Sequence, residues 1–277
     1  MGFIEKILAP FQTALRHSVE SFIRIETADS DTVLAAEDGS LVSYLRVDGS
    51  RQVIGEEEYK FLVEASTVKI GSKFDRPGHA LQVYFARDPG RIRPHLEKLL
   101  KGSRITAQNT GLEVNDVMEE RIRNLSTILC YEECYFVLWT RPSSMTKSET
   151  ERSAKEKQDQ GKKWVNAPYG QNPLAGLEQL RTRHKSFVIA VQTGLDELGI
   201  RGEMMSSHEA VLAIKNNMFP NRANEEWRAC LPGDPIAPRA PMDTADLSDI
   251  IWPSLRSQLS LGDAKMIDGP VVRIGDQ

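Results

Sequence analysis

Thr32–Gly49, "TVLAAEDGSLVSYLRVDG", constrains this chain more tightly than any other stretch. Two short runs rich in Val, Leu and Tyr flank Asp38-Gly39, a dipeptide that tolerates the positive φ angles of a tight hairpin turn. In the second run Leu41, Leu45 and Val47 share one side with Ser43 between them, so one face can be buried. A second Asp-Gly, Asp48-Gly49, is placed to stop the strand. The hairpin is the first edge of a sheet.

The next ninety residues supply the rest of that sheet. Glu56, Glu57 and Glu58 precede Tyr59, Leu62, Val63, Ser66 and Ile70, and acids in a first turn complement the helix dipole. Gly71 is placed as the C-terminal cap of this helix. His79–Ala86 alternates, with Leu81, Val83 and Phe85 on one face, and Asp88-Pro89-Gly90 ends the strand. A short helix carries Ile92, Leu96, Leu99 and Leu100 up to Gly102, and a longer one runs through Val114, Val117, Met118, Ile122, Leu125 and Ile128. Cys134–Trp139, "CYFVLW", is a nearly unbroken apolar run, as expected of a central strand covered on both faces. Residues 27–142 therefore predict an α+β domain. Its mixed β-sheet has helical crossovers in the order hairpin, helix, strand, helices, strand.

The second half is less regular. Residues 143–173 read as a charged flexible insertion. Ser143–Lys163 has almost no apolar side chain, and forms an exposed loop or a solvated helical arm. Residues 174–277 read as a helical part. Leu177, Leu180, Phe187, Val188, Val191, Leu195 and Leu198 recur up to Gly199. A further helix then starts at Ser206 or Ser207, carries Val211, Ile214 and Met218, and stops at Pro220. Pro220, Pro232, Pro235, Pro238 and Pro241 mark an extended connection. Lys265–Ile274, around Asp268-Gly269-Pro270, repeats the hairpin device, which reads as a cut point inside a longer protein.

Ahead of the sheet, residues 1–26 read as an amphipathic helix over Gly2–Glu26. Phe3, Ile4, Ile7, Leu8, Phe11, Leu15, Val19, Phe22 and Ile23 form one apolar stripe, and Pro10 kinks or divides it. Such a stripe packs on its own domain, pairs with a partner helix, or lies in a membrane interface. Phe3, Ile7, Phe11, Leu15 and Phe22 are the candidate partner or membrane contacts.

Composition narrows the function. The net charge of −4 argues against a general nucleic-acid binder. Cys130, Cys134 and Cys230 are too few and too irregular for a disulfide framework, which favours a reducing cytoplasm. No apolar run approaches the roughly 20 residues that span a bilayer, and the charged start does not resemble a signal peptide.

Catalytic chemistry is not visible in the sequence. A phosphate-binding loop needs Gly-x-x-x-x-Gly-Lys-Ser/Thr, yet Gly161-Lys162 has Glu156 at the first position and Lys163 at the last. Thr140 and Arg141, not an acid, follow the apolar strand. Cys130 and Cys134 lack the partners of a metal site and read as buried structural residues. His17, His79, His95, His184 and His208 are scattered outside any nucleophile motif. Trp139 reads as core, and Trp164, Trp227 and Trp252 as residues buried against the domain or as anchors for a partner. No catalytic, cofactor-binding or metal-ligating residue is assigned.

"DGSLVSYLRVDG", the helix–strand order after it and the closing "VVRIGDQ" resemble the N-terminal domain of type IV secretion and conjugation ATPases of the CagE/TrbE/TraC kind. Within that family the run is nearest the ATPases of Dot/Icm-type systems. The resemblance implies a non-catalytic assembly and docking domain, cytoplasmic and peripheral at the bacterial inner membrane. It further implies other subunits of a secretion complex as partners, a homo-oligomer in the full-length protein, peripheral membrane contact and no specific nucleic acid. ATP and magnesium belong, on this reading, to a P-loop domain expected after Gln277. Ser143–Lys163 and Pro220–Pro241 depart from the family pattern. Two rivals stand beside it: an adaptor or scaffold protein, and a free-standing small-molecule enzyme with a cleft between its halves. The enzyme requires convergent titratable groups, which the sequence does not display.

Overall fold

A computed structural model of the chain describes residues 23–75, 77–163, 174, 176–219, 226–234, 254–260, 264–266 and 272–274. Strand β1 (Ile25–Ser30) pairs antiparallel with β2 (Val33–Ala36), which turns into β3 (Leu41–Ser50). The turn is the expected one. Gly39 adopts φ of 80°, and the Asp38 carboxylate accepts the Ser40 amide at 2.9 Å. Ile25 and Glu26, expected to end the first helix, instead open β1, with Ile23 and Ile25 buried in the core. The apolar spacing fits either element there, and the hydrogen bonds offered by β2 decide it. The rest of that helix, including Phe3, Ile7, Phe11, Leu15 and Phe22, lies outside the described residues.

Asp48-Gly49 does not stop β3. Gly49 adopts φ of 100° and absorbs a register shift between Val47 and Gly49, so the strand bulges and continues to Ser50. Helix α1 (Glu56–Lys69) comes next, with its acidic first turn. Gly71 is not its cap; Ile70 keeps helical geometry and the chain tightens into a 3₁₀ turn over Gly71–Phe74. After β4 (His79–Asp88), helix α2 (Ile92–Thr110) runs straight through Gly102 and ends at Gly111, with φ of 69°. Then come α3 (Asn115–Ile128) and β5 (Tyr131–Thr140).

The charged segment takes the form of an arm, helix α4 (Lys147–Lys163), where a flexible insertion was one expectation. It is held by Arg183, which grips the Glu149 carboxylate at 2.8 and 2.9 Å, and by the Ser153 hydroxyl donating to Gly176 O at 2.6 Å. Helix α5 (Glu178–Glu197) precedes β6 (Ile200–Met204), a strand that five residues with no apolar run did not announce. Helix α6 (Ser207–Met218) and helix α7 (Leu255–Ser260) lead to a hairpin of β7 (Ala264–Met266) and β8 (Val272–Ile274).

The architecture is the expected α+β, but every pairing among the described strands is antiparallel where a mixed sheet was expected, because the helical connections return the chain to antiparallel neighbours. The sheet order is β1-β2-β3-β5-β4. β3 is its axis. One edge pairs with β5 over Leu41–Arg46, and the other pairs first with β2 and then, from Leu45 onward, with β6. Leu34, Val42, Tyr135 and Val137 face α6 and α7 in one cluster, joined by Val211, Leu255 and Leu259. Leu45 and Leu138 face α5 on the other side, against Phe187, Val191 and Leu195. Leu41 continues that face against Leu177 and Leu180.

Two serines at the head of α6 separate in role. Ser206 makes the capping box: its hydroxyl accepts the Glu209 amide, and Glu209 accepts the Ser206 amide at 2.8 Å. Those bonds from Ser206 hold the Glu209 carboxyl below the usual range. Ser207 instead donates to Ser30 O at 2.7 Å, tying the helix to the end of β1. Ser206→Ala is expected to lower unfolding free energy by about 1 kcal/mol in urea titration, with the m-value unchanged.

Candidate functional site

One chain of polar side chains crosses the middle of the molecule. In α5 the apolar stripe Leu180, Phe187, Val191, Leu195 is interrupted by His184, buried like its neighbours. In β3 the row Leu41, Leu45 is interrupted by Ser43. The two interruptions meet, with Ser43 Oγ and His184 Nε2 2.9 Å apart. His184 Nδ1 lies 2.9 Å from Thr140 Oγ1 on β5, and His79 Nδ1 of β4 lies 3.2 Å from the same oxygen. Ser43 Oγ donates its proton to Thr32 O at 2.9 Å.

That last bond fixes the direction of the chain. With its hydrogen committed to Thr32, Ser43 accepts from His184 Nε2–H, so Nδ1 is the bare nitrogen and accepts the Thr140 hydroxyl. Thr140 in turn accepts from His79 Nδ1–H. Each polar atom of His184 is thus satisfied with the ring neutral. Burial pushes its pKa down to about 4, with His79 adding in the same direction and Asp29 opposing. His79 stacks on Phe187 at 4.2 Å between ring centroids, which closes the array from the side.

Ser43 and His184 invite comparison with a nucleophile and its base, and the geometry does not support it. The Ser43 proton points to a backbone carbonyl, the orienting group behind His184 is a hydroxyl where such pairs use a carboxylate, and all three side chains are sealed from solvent. The array holds α5 to three strands. A further histidine, His208, lies 2.8 Å from Asp234, which also receives Arg228 at 3.2 Å. Among the described residues no group of three or more His, Cys, Asp or Glu side chains is placed to hold a metal ion. Cys130 and Cys134 are half-buried, where burial was expected, and Cys230 is exposed. Trp139 and Trp227 pack on the α6 cluster, with Lys215 Nζ 4.9 Å from the Trp227 ring centre. Trp164 and Trp252 lie outside the described residues.

Several large apolar side chains stand on the surface among the charged ones. Helix α1 buries none of its residues fully, although Leu62 and Ala65 pack on the α5 cluster. Phe61 and Val68, seven apart and so on one side of the helix, are 69% and 72% exposed, with Glu57 and Glu64 beside them. Val83 and Phe85 of β4 are 55% and 60% exposed. Helices α2 and α3 form a hairpin closed on its own small core of Ile92, Leu96 and Ile122. It joins the sheet through Arg91, which lies 4.5 Å above the Tyr131 ring and bonds Glu133 at 3.0 Å. This arm exposes Leu99, Leu112, Val117 and Ile128. Scattered apolar side chains are normal on a surface, and pairs this exposed on successive elements are candidates for contact faces. Among the described residues no helix is long and apolar enough to cross a membrane.

Compared with known proteins, the sequence matches no family model and no curated protein. The sequence-based candidates Phe3, Ile7, Phe11, Leu15 and Phe22 lie outside the described residues. Sequence reasoning missed Ser43–His184–Thr140–His79, whose first two members are 141 residues apart. The available signal was a polar residue in the middle of each of two apolar rows.

Proposed function

We propose that this chain is the non-catalytic assembly and docking domain of a type IV secretion ATPase, similar to IcmB (DotO) of Dot/Icm systems. In that role it couples a cytoplasmic motor to the inner-membrane complex and to neighbouring subunits. The observation that carries the reading is the α1 surface, where Phe61 and Val68 stand in water on a helix with no fully buried residue. An enzyme keeps its reacting groups where substrate can reach them, whereas the polar array here is sealed. ATP and magnesium act, on this reading, in a P-loop domain outside these residues. Phe3, Ile7, Phe11, Leu15 and Phe22 are proposed as further partner or membrane contacts, which leaves the protein peripheral at the inner membrane.

The test uses the full-length protein in its host. Phe61→Glu with Val68→Glu should shift the protein from the membrane-complex fraction to the soluble fraction and reduce substrate secretion at least tenfold. The circular dichroism and melting of the isolated chain should stay as in wild type. A double variant that fractionates and secretes like wild type defeats the proposal.

A further inference from the structure

β4 is the outer strand of the sheet, with β5 on one side and no strand on the other among the described residues. The direction of its backbone groups is set by one bond. The Arg141 amide donates to Gly78 O at 2.7 Å, which makes Gly78 and Arg141 a hydrogen-bonded pair of the antiparallel ladder. The register continues unbroken from His79–Thr140 to Asp88–Tyr131. Ala80, Gln82, Tyr84 and Ala86 therefore turn their N–H and C=O toward β5. Leu81, Val83, Phe85 and Arg87 turn theirs outward.

Proteins blunt such edges with proline, lysine, bulges or short strands. β4 has none of these: ten residues, no bulge, and ionised side chains only at Arg87 and Asp88. Its outward-pairing positions include the two exposed large apolar residues, Val83 and Phe85.

We propose that β4 pairs with β4 of a second copy, antiparallel about a two-fold axis at Tyr84, making one continuous sheet across the two molecules. Val83 of each copy then lies opposite Phe85 of the other in a hydrogen-bonded pair, and Leu81 lies opposite Arg87. Aromatic and β-branched residues are favourable cross-strand partners, and this register joins them twice. Charge favours the antiparallel over the parallel orientation. Arg87 and Asp88 sit at one end of the strand, so the two-fold sends them to opposite ends of the ribbon. Parallel pairing would stack Arg87 on Arg87. A single strand edge falls short of the roughly 1,200 Å² of a standard interface, so the dimer is weak. None of this rests on the secretion reading.

Sedimentation velocity on the chain over roughly 5–300 μM should show a monomer–dimer equilibrium. Val83→Lys with Phe85→Lys, at side chains more than half exposed, should be monomeric throughout with wild-type circular dichroism. Phe85→Pro removes one outward N–H and leaves the β5 ladder intact, so it should weaken dimerisation at least tenfold. If that variant does not fold, the lysine pair decides. A wild-type chain that is monomeric at the highest concentration overturns the proposal, as does a folded lysine variant that still dimerises.

Discussion

His184→Ala is expected to lose about 2–5 kcal/mol of unfolding free energy, in the range for emptying a large buried site. Two effects combine. The imidazole volume becomes a cavity between α5 and the sheet, and Thr140 loses the acceptor for its hydroxyl proton. Ser43 retains Thr32 O, so its loss is smaller. The array also predicts non-additivity. Ser43→Ala and His184→Leu each strand a polar atom or waste a partner, while the double variant replaces the contact with apolar packing. A double-mutant cycle by urea titration should give a coupling of about 0.5–3 kcal/mol. Additive effects would show that the two side chains do not interact as placed.

The same ring makes stability depend on acid. His184 titrates near 4 when folded and near 6.5 when unfolded, because burial penalises the charged form. The unfolded chain binds the proton first as pH falls. This contribution is fully present above pH 6.5 and is lost progressively down to pH 4. The slope is at most about 1.4 kcal/mol per pH unit, or roughly 3 kcal/mol in all. His184→Leu should flatten the stability profile in that window. A variant whose profile parallels wild type would remove His184 as the cause.

Leu45→Ala is the second large effect, about 2–5 kcal/mol. Leu45 is fully buried at the point where β3 is flanked by β5 and β6 together, opposite Phe136 and Met204. Gly202 leaves it room: a Cβ there would come within 3.2 Å of a Leu45 methyl. The alanine cavity therefore opens between α5 and three strands, none of which can close on it alone. By contrast Phe85→Ala should change stability by less than about 0.5 kcal/mol, since the ring stands in water. Equal losses at the two sites would contradict the burial of Leu45 and the exposure of Phe85.

Local chemistry settled the elements whose signals lie within a few residues. Asp38-Gly39 needed only a positive φ and an aspartate to accept the next amide, and both formed. The triple acid in the first turn of α1, the alternation of β4 and the apolar run of β5 likewise carried their own signal. Asp48-Gly49 shows the limit. The same dipeptide ends a strand or bulges it, and β6, which arrives about 150 residues later, chooses the bulge. Ile25 became strand and not helix because β2 lay beside it.

The central polar array was never legible as a site, because no local rule joins Ser43 to His184. Each was visible only as a misfit in an apolar row. A buried misfit is unfavourable until its partner arrives, so the two rows fit in one register of α5 on the sheet. The sequence alone determined the α+β class, the turn, and most helices and strands. Tertiary structure alone decided the bulge, the unannounced β6, the place of β4 as the outer strand among the described residues, and the meeting of Ser43 with His184. Those depend on which backbone and polar groups find partners across long separations, and hydrogen-bond satisfaction is a property of the assembled fold.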